Sequence, residues 1–161
     1  LDEIADGFDL SQFGAAPTKF DAEDLWPLTR ERNQHLPFAA VRDRIAALGV
    51  PADKAERFWA VASKNITKLD DLGHWWALCR DGAAPIVADE DRDFVAQALS
   101  MLPQPPFSDT TWADWTNAVK DATGRKGKAL FMPLRLALTG EKSGPEMAEL
   151  MPLLQKVPAV K

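Results

Sequence analysis

The sequence predicts an all-α protein. Apolar residues recur at the i, i+3, i+4, i+7 spacing of one helix face, and capping and stop residues bracket those segments. No segment alternates strictly between apolar and polar residues with the β-branched enrichment of a strand. With 161 residues, 46% of them hydrophobic and 27% charged, the chain has a globular composition. We expect two small helical subdomains.

The first predicted helices lie between residues 21 and 62. Asp21 is placed to cap a helix over "AEDLWPLTRERNQH", which Pro27 should kink or delay. Pro37 should open a second helix, "PFAAVRDRIAALG", and Gly49 should end it. In the third, "PADKAERFWAVAS", the apolar residues fall on one face, namely Ala55, Phe58, Trp59 and Ala62.

Two more helices precede a cluster of prolines. The segment "KLDDLGHWWALCRD" carries an apolar stripe of Leu69, Leu72, Trp76 and either Cys79 or Arg80. Asp89 should cap "EDRDFVAQALSML", whose acidic first turn suits the helix dipole. The segment "PQPPF" (103–107) is the best candidate for a hinge. We therefore expect a connection over 1–20, a first subdomain over 21–103 and a second over 107–161.

The remaining helices follow the proline cluster. "TTWADWTNAVKDATG" should end at Gly124, and a helix over 127–139 should end at Gly140. The last helix should start from an S-x-x-E capping box with a proline in its first turn, made by Ser143, Glu146 and Pro145.

Charge is unevenly distributed along the chain. Residues 1–123 hold 12 Lys and Arg against 21 Asp and Glu, a net charge of −9, whereas residues 124–161 hold 7 against 3, a net charge of +4. A basic end on an acidic body indicates a surface that faces a polyanion. The alternative is chance clustering of solvated charges.

Most enzyme and metal-site patterns are absent from the sequence. His35, His74 and Cys79 lack zinc-site spacing, and no phosphate-binding glycine motif follows a predicted strand. His74 and Cys79 lie about 140° apart on a helix, so Cys79 is interpreted as a core residue. The aromatic residues at helical spacing are likewise assigned to the core.

The chain has the character of a cytoplasmic protein. A single cysteine fits a reducing compartment. No apolar run approaches the ~20 residues of a bilayer span, and the acidic start does not resemble a signal peptide. We expect a monomer with no membrane partner. The first residue is Leu1 rather than methionine, from which we expect a piece of a longer protein.

The segment "GRKGKALFMPLRLALTGEKSGP" (124–145) combines apolar and basic residues. On a helix over 127–139, the polar residues Lys128, Arg135 and Thr139 fall on one narrow stripe, and Pro133 should bend the helix. Further cations flank the stripe, namely Arg125, Lys126 and Lys142. This arrangement predicts a pocket for an RNA backbone and an unstacked base beside Gly144. The alternative is a snorkelling arginine on a helix surface.

The stretch "GRKGKALFMPLRLALTGEKSGPEMAEL" resembles the C-terminal anticodon-binding region of bacterial glutamate–tRNA ligases. That family has a basic "G(R/K)KGK" followed by "PLR-A-TG" and a "GPE" or "TP" turn. "FDLSQFGAAPTKFD" (8–21) and "NITKLDDLGHWW" resemble two further family segments, the second in its alphaproteobacterial form. The resemblance implies an all-α, tRNA-binding region.

The resemblance also implies roles for particular residues. Arg135 and the Gly144–Pro145 turn, with Met147 nearby, would face the last anticodon base. Asn65 aligns with a base-reading arginine of several relatives, which predicts weak discrimination at the first anticodon base unless Lys64 or Lys68 supplies the missing donor. The full expected RNA-binding set is Arg135, Lys128, Lys142, Gly144, Pro145, Met147, Asn65, Lys64, Arg125 and Lys126.

The family's two ATP-binding signatures are absent from these residues. The resemblance implies a parent enzyme that activates glutamate with ATP and Mg²⁺ and transfers it to tRNA. We expect this part alone to be non-catalytic and to hold no cofactor or metal. The expected partner is glutamate tRNA, either alone or together with glutamine tRNA. The alternative is a stand-alone helical module that binds tRNA or a protein without a ligase role.

Overall fold

The computed structural model describes residues 26–157, and all regular secondary structure within them is helical. The predicted all-α class is confirmed. Asp21 and the predicted connection over 1–20 lie outside the described residues. The helices are α1 (Trp26–Gln34), α2 (Phe38–Ala47), α3 (Ala52–Ala62), α4 (Asp71–Asp81), α5 (Arg92–Ser100), α6 (Thr111–Thr123), α7 (Lys128–Thr139) and α8 (Met147–Leu150). Short 3₁₀ turns cover Ser63–Asn65, Asp89–Asp91 and Met151–Leu153.

Several predicted helix boundaries are confirmed. Pro37 directly precedes α2, and Gly49 follows its C-cap with a positive φ of 78°. Gly124 and Gly140 are the C-caps of α6 and α7, and both have left-handed backbone conformations. These glycines end the helices because a left-handed residue turns the chain out of the helical path.

The predicted cap at Asp89 is wrong. Asp89 is the first residue of the 3₁₀ turn that precedes α5, and its carboxylate pairs with Arg92 at 2.6 Å. No side-chain hydrogen bond caps this turn or α5. The adjacent arginine competes successfully for the carboxylate, which therefore does not accept from the backbone.

The predicted capping box of the last helix is also wrong. Helix α8 begins only at Met147, Glu146 is its N-cap, and no side-chain hydrogen bond caps it. The backbone explains the delay, because Gly144 has a φ of 143° and Glu146 has non-helical angles of −59° and 133°. The chain from Ser143 to Glu146 is consequently a turn rather than a first helical turn.

The core is formed by the predicted helix faces. All four apolar residues predicted for the face of α3 are buried, and on α4 the stripe runs through Leu72, Trp76 and Cys79 while Arg80 is exposed. Buried side chains before and after the proline cluster belong to the same core, from Val41 to Leu154. The indole nitrogen of Trp115 donates to the carbonyl oxygen of Ala98 at 2.8 Å, which joins α6 to α5. The division into subdomains near residue 105 stays a prediction.

Surface ion pairs also connect residues on the two sides of the proline cluster. Arg57 on α3 pairs with Asp109, and Lys64 pairs with Glu149 on α8. Within residues 26–157, no helix has the length and apolarity to cross a bilayer. The same residues contain no group of three or more His, Cys, Asp or Glu side chains arranged to hold a metal ion.

Candidate nucleic-acid interface

Helix α7 positions the central side chains of the candidate site. It buries Leu130, Leu134, Ala137 and Leu138, the regular apolar positions of one face, together with Pro133 inside the helix. Phe131 and Arg135 lie four residues apart and so occupy neighbouring positions on another face. Burial of the apolar face holds α7 in place, so these two side chains project from a fixed support.

The predicted polar stripe on α7 is only partly correct. Lys128 is exposed and Arg135 is half-buried, but Thr139 is buried, and its hydroxyl donates to the carbonyl oxygen of Arg135 at 2.8 Å. The threonine satisfies its hydroxyl within the helix, which allows it to face the core. The stripe therefore does not continue to the C-terminal end of α7.

The guanidinium of Arg135 is only partly hydrogen-bonded. Its Nη1 donates to the carbonyl oxygen of Pro145 at 3.0 Å, whereas Nε and Nη2 are shielded from solvent and have no partner within the described residues. Burial lowers the pKa of Arg135, and the negative charge of Glu141 offsets part of that effect. A snorkelling arginine would keep its charged head in water. Arg135 does the opposite, since the shielded atoms are those of the head.

Gly144 covers this guanidinium. A Cβ at position 144 would lie 2.9 Å from Nη2 of Arg135 and 2.4 Å from Cη2 of Trp75. The φ of 143° is itself unfavourable for any residue with a side chain. Only glycine therefore allows the turn to pack against both Trp75 and Arg135. This turn borders the site that the sequence predicted beside Gly144.

A recess of about 340 Å³ opens beside Arg135. Ligand clefts in proteins typically have volumes of about 300–1,000 Å³. Its lining comes from three helices and the turn before α8, namely Trp112, Phe131, Arg135, Glu146, Met147 and Ala148. The ring centroids of Trp112 and Phe131 are 6.2 Å apart with planes tilted by 35°. The recess thus combines aromatic walls with a desolvated cation, the features that bind an unstacked base.

The turn Ser63–Asn65 is attached to the other side of α8. Nζ of Lys64 lies 3.0 Å from Oε2 of Glu149, and the carbonyl oxygen of Lys64 accepts from the side chain of Gln34 at 3.1 Å. Nδ2 of Asn65 makes a long contact of 3.4 Å with the carbonyl oxygen of Val61. The fold therefore brings Lys64, from the first half of the chain, to the short helix whose first residue, Met147, lines the recess.

The other predicted cations differ in their surroundings. Lys126, Lys128 and Lys142 are exposed, and within residues 26–157 none of them forms an ion pair. Arg125 pairs with Asp91 and lies 4.0 Å over the ring of Phe94. Three lysines are thus available to a polyanion, while Arg125 is engaged in holding the loop before α7 to α5.

A second, larger recess lies between α4 and the C-terminal end of α7. It has a volume of about 450 Å³ and is lined partly by His74, Asp81, Thr139 and Glu141. Nε2 of His74 lies 3.3 Å from Oε1 of Glu141. Two carboxylates on its wall would repel phosphate, so this recess is a poor site for RNA.

Two aromatic residues of the candidate site were missed by sequence reasoning. Phe131 was assigned to the core with the other aromatics, but it is 44% exposed, and Trp112 is only partly buried. The helical spacing could have identified Phe131, because it precedes Arg135 by four residues and so lies on the same side of α7. No spacing along the sequence could have identified Trp112, since its proximity to α7 depends on how α6 packs.

Two comparisons relate this chain to known proteins. The anticodon binding domain family matches residues 83–159. The chain is 68% identical to glutamate–tRNA ligase 1 of Paracoccus denitrificans over 159 residues, which are 99% of this chain and 36% of that protein. It is 64% identical to glutamate–tRNA ligase 2 of Cereibacter sphaeroides over 158 residues, 98% of this chain and 36% of that protein. The chain therefore spans about 36% of the length of these relatives, and the predicted resemblance is confirmed.

Proposed function

We propose that this chain, whose residues 83–159 match the anticodon binding domain family, binds the anticodon of a transfer RNA as part of a glutamate–tRNA ligase. Reading of the last anticodon base is assigned to Arg135 and the turn that contains Gly144 and Pro145. Met147 forms part of the apolar wall against which that base rests.

The incomplete hydrogen bonding of Arg135 is the observation that carries this proposal. A buried charged donor without a partner costs stability, of the order of 1–3 kcal/mol or more. Two nitrogens of the guanidinium are in that state. A base edge offers the oxygen and nitrogen acceptors that would satisfy them. Because Gly144 lies against Nη2, binding includes a shift of the turn that exposes this nitrogen to the base.

The exposed lysines of segment 124–145 would contact the RNA backbone. Lys128, Lys142 and Lys126 are exposed and would bind phosphates without reading sequence. Lys64 would also contact a phosphate once its ion pair with Glu149 is broken. Arg125 would act indirectly, since its pairing with Asp91 orders the loop from which Lys126 projects.

Asn65 bears on specificity at the first anticodon base. An asparagine amide can hydrogen-bond to a base edge, but it lacks the charged fork of arginine. Its weak 3.4 Å contact with Val61 leaves the amide free to exchange partners. We therefore expect weak discrimination at this position, so that glutamine tRNA is bound as well as glutamate tRNA.

The activity of the whole protein is part of the proposal. The relatives named above are called glutamate–tRNA ligases, and this chain corresponds to about 36% of their length. The complete protein would join glutamate to tRNA with ATP and Mg²⁺, act as a monomer and reside in the cytoplasm. The residues of this chain would supply anticodon recognition and no catalytic group.

A binding experiment with three RNAs tests the proposal. The 161-residue chain is titrated with glutamate tRNA, with the same tRNA changed at the last anticodon base, and with a scrambled anticodon, each at several salt concentrations. The cognate tRNA should bind most tightly at every salt concentration, because base contacts add to the salt-dependent phosphate contacts. Equal affinity for all three RNAs would mean that binding is electrostatic and does not depend on the anticodon. Absence of binding would favour a protein-interaction module.

A further inference from the structure

Phe131 lines both the Arg135 recess and a smaller one of about 180 Å³. Leu130 and Phe131 of α7 supply its apolar wall, and Asn117, Lys120 and Lys126 supply its polar rim. The two recesses thus share one exposed aromatic side chain. Phe131 is 44% exposed, so its ring offers an aromatic surface to a ligand in either recess.

The polar groups of the smaller recess are available for binding. Within the described residues, neither Lys120 nor Lys126 forms an ion pair, and the amide of Asn117 makes no hydrogen bond. None of the side chains that line the recess is acidic. The 450 Å³ recess near His74 has the opposite character, since Asp81 and Glu141 line it. The smaller recess therefore combines two cations and a donor–acceptor amide with an aromatic edge.

We infer that the smaller recess is a second nucleotide subsite, which holds the nucleotide adjacent to the last anticodon base. The base would lie against Phe131 with its edge toward the amide of Asn117, and Lys120 and Lys126 would contact its phosphate. Three features support an RNA occupant: an aromatic surface for stacking, unpaired cations for the backbone, and continuity with the Arg135 recess through Phe131. This inference rests on the proposed binding of the anticodon.

The test uses anticodon stem-loops that lack one base. Loops are made without the middle anticodon base, or without the base that follows the last anticodon base, and each is titrated against the chain. One of these two losses should weaken binding to the wild type about five- to one-hundredfold, the range expected for removal of a stacked base. In the Phe131→Ala, Asn117→Ala double variant, the same base loss should have little further effect.

The lysines are tested separately through salt dependence. Lys120→Ala and Lys126→Ala should each weaken all loops alike and lower the slope of log K against log salt by about one unit or less. Lys54→Ala on α3 is the matched control, because Lys54 does not line either recess and should leave the slope unchanged. Thermal melts of every variant separate a lost contact from a lost fold.

The possible failures of the two proposals are distinguishable. If base loss at both flanking positions costs the double variant as much as the wild type, the second subsite is wrong. Anticodon recognition would still stand if the wild type discriminates against a changed last base. If the wild type shows no such discrimination, the proposed function itself fails. If both lysine variants keep the wild-type salt slope, Lys120 and Lys126 do not contact the phosphate.

Discussion

Arg135 holds the turn before α8 through one hydrogen bond, in which its Nη1 donates to the carbonyl oxygen of Pro145 at 3.0 Å. The bond has two consequences. It fixes the guanidinium at the edge of the recess, and it leaves Nε and Nη2 without partners within residues 26–157. The same side chain thus supports the turn in the free protein and retains hydrogen-bonding capacity for a ligand.

Substitution of Arg135 separates these two roles. We expect Arg135→Ala to weaken binding of the cognate tRNA by roughly 1–3 kcal/mol and to reduce preference for the last anticodon base. Arg135→Lys retains the charge but loses the forked donors, so it should recover part of the affinity and little of the preference. The measurement is a pair of binding curves, for cognate and last-base-changed tRNA, together with thermal melts.

Equal losses on both tRNAs with an intact melt would make Arg135 a phosphate contact. A lowered melting temperature with unchanged preference would assign it to the support of the turn alone. Arg42→Ala on α2 is a matched control, since Arg42 is exposed and lines neither recess described at α7.

Gly144→Ala should disturb the turn and the recess together. A Cβ there would lie 2.4 Å from Trp75, and this clash must displace the indole or the backbone. We expect a loss of about 1–3 kcal/mol in the free energy of unfolding, the usual cost of overpacking. Binding of the cognate tRNA should weaken as Arg135 is displaced. Chemical denaturation and tRNA titration measure the two effects.

Gly73→Ala provides the control for this substitution. Gly73 lies inside α4, and a Cβ there would come no closer than 3.8 Å to Leu48. Because alanine favours a helix over glycine by about 1 kcal/mol, this variant should be as stable as the wild type or more stable. A Gly144→Ala protein with wild-type stability and tRNA affinity would contradict the close packing of the turn.

The ion pair between Lys64 and Glu149 should compete with tRNA for the lysine. Both side chains are largely exposed, so the pair should contribute only about 0.2–1 kcal/mol to stability. Removal of the carboxylate with Glu149→Gln frees the ammonium group. We therefore expect this variant to bind tRNA more tightly than the wild type, most clearly at low salt.

The gain from Glu149→Gln should depend on Lys64. In the Lys64→Ala background, the glutamate substitution should change tRNA affinity much less, as a double-mutant cycle would measure. An equal gain in both backgrounds would indicate a general loss of repulsion between Glu149 and the RNA. No gain in either would argue that Lys64 does not contact RNA.

Arg125 should contribute mainly to stability. Its guanidinium pairs with Asp91 and stacks over Phe94, and the two charged side chains are only 30% and 21% exposed. We expect Arg125→Ala to reduce the free energy of unfolding by about 1–3 kcal/mol, the range for a hydrogen bond to a charged group. Lys126→Ala, one residue away but exposed, should leave stability unchanged. Denaturation curves for the two variants test this contrast.

Cys79 should be unreactive in the folded protein. Burial raises the pKa of its thiol to about 12, although the positive charge of Lys54 acts in the other direction. Because the pKa in the folded state exceeds the ordinary value of 9.0, the protonated thiol is favoured by folding. The contribution of the protonated thiol to the free energy of unfolding is complete below pH 9 and is lost as the pH rises toward 12.

A thiol reagent at mildly alkaline pH measures this directly. Labelling of Cys79 should be very slow in the native protein and rapid in denaturant, since only the thiolate reacts. Rapid native labelling would contradict the burial of the side chain. A fall in stability between pH 7 and 9 would have to arise from another group.

Local sequence patterns correctly predicted the helices and many of their ends. Periodic apolar residues predicted the buried faces of α3 and α4, and Gly124 and Gly140 marked the ends of α6 and α7. These features are local, since helix periodicity and a left-handed glycine act within one or two turns. The basic motif at 124–145 likewise carries the resemblance to glutamate–tRNA ligases, which the similar relatives bear out.

Helix packing brings side chains from distant parts of the chain into one site. The sequence placed Thr139 on a polar stripe, but packing buries it, and the sequence assigned Phe131 to the core, but packing leaves it exposed. The contact of Lys64 with Glu149 joins residues 85 positions apart, and the turn at Gly144 rests on Trp75 from α4. Such relationships depend on how helices pack against each other, and the spacing of residues along one helix does not contain that information.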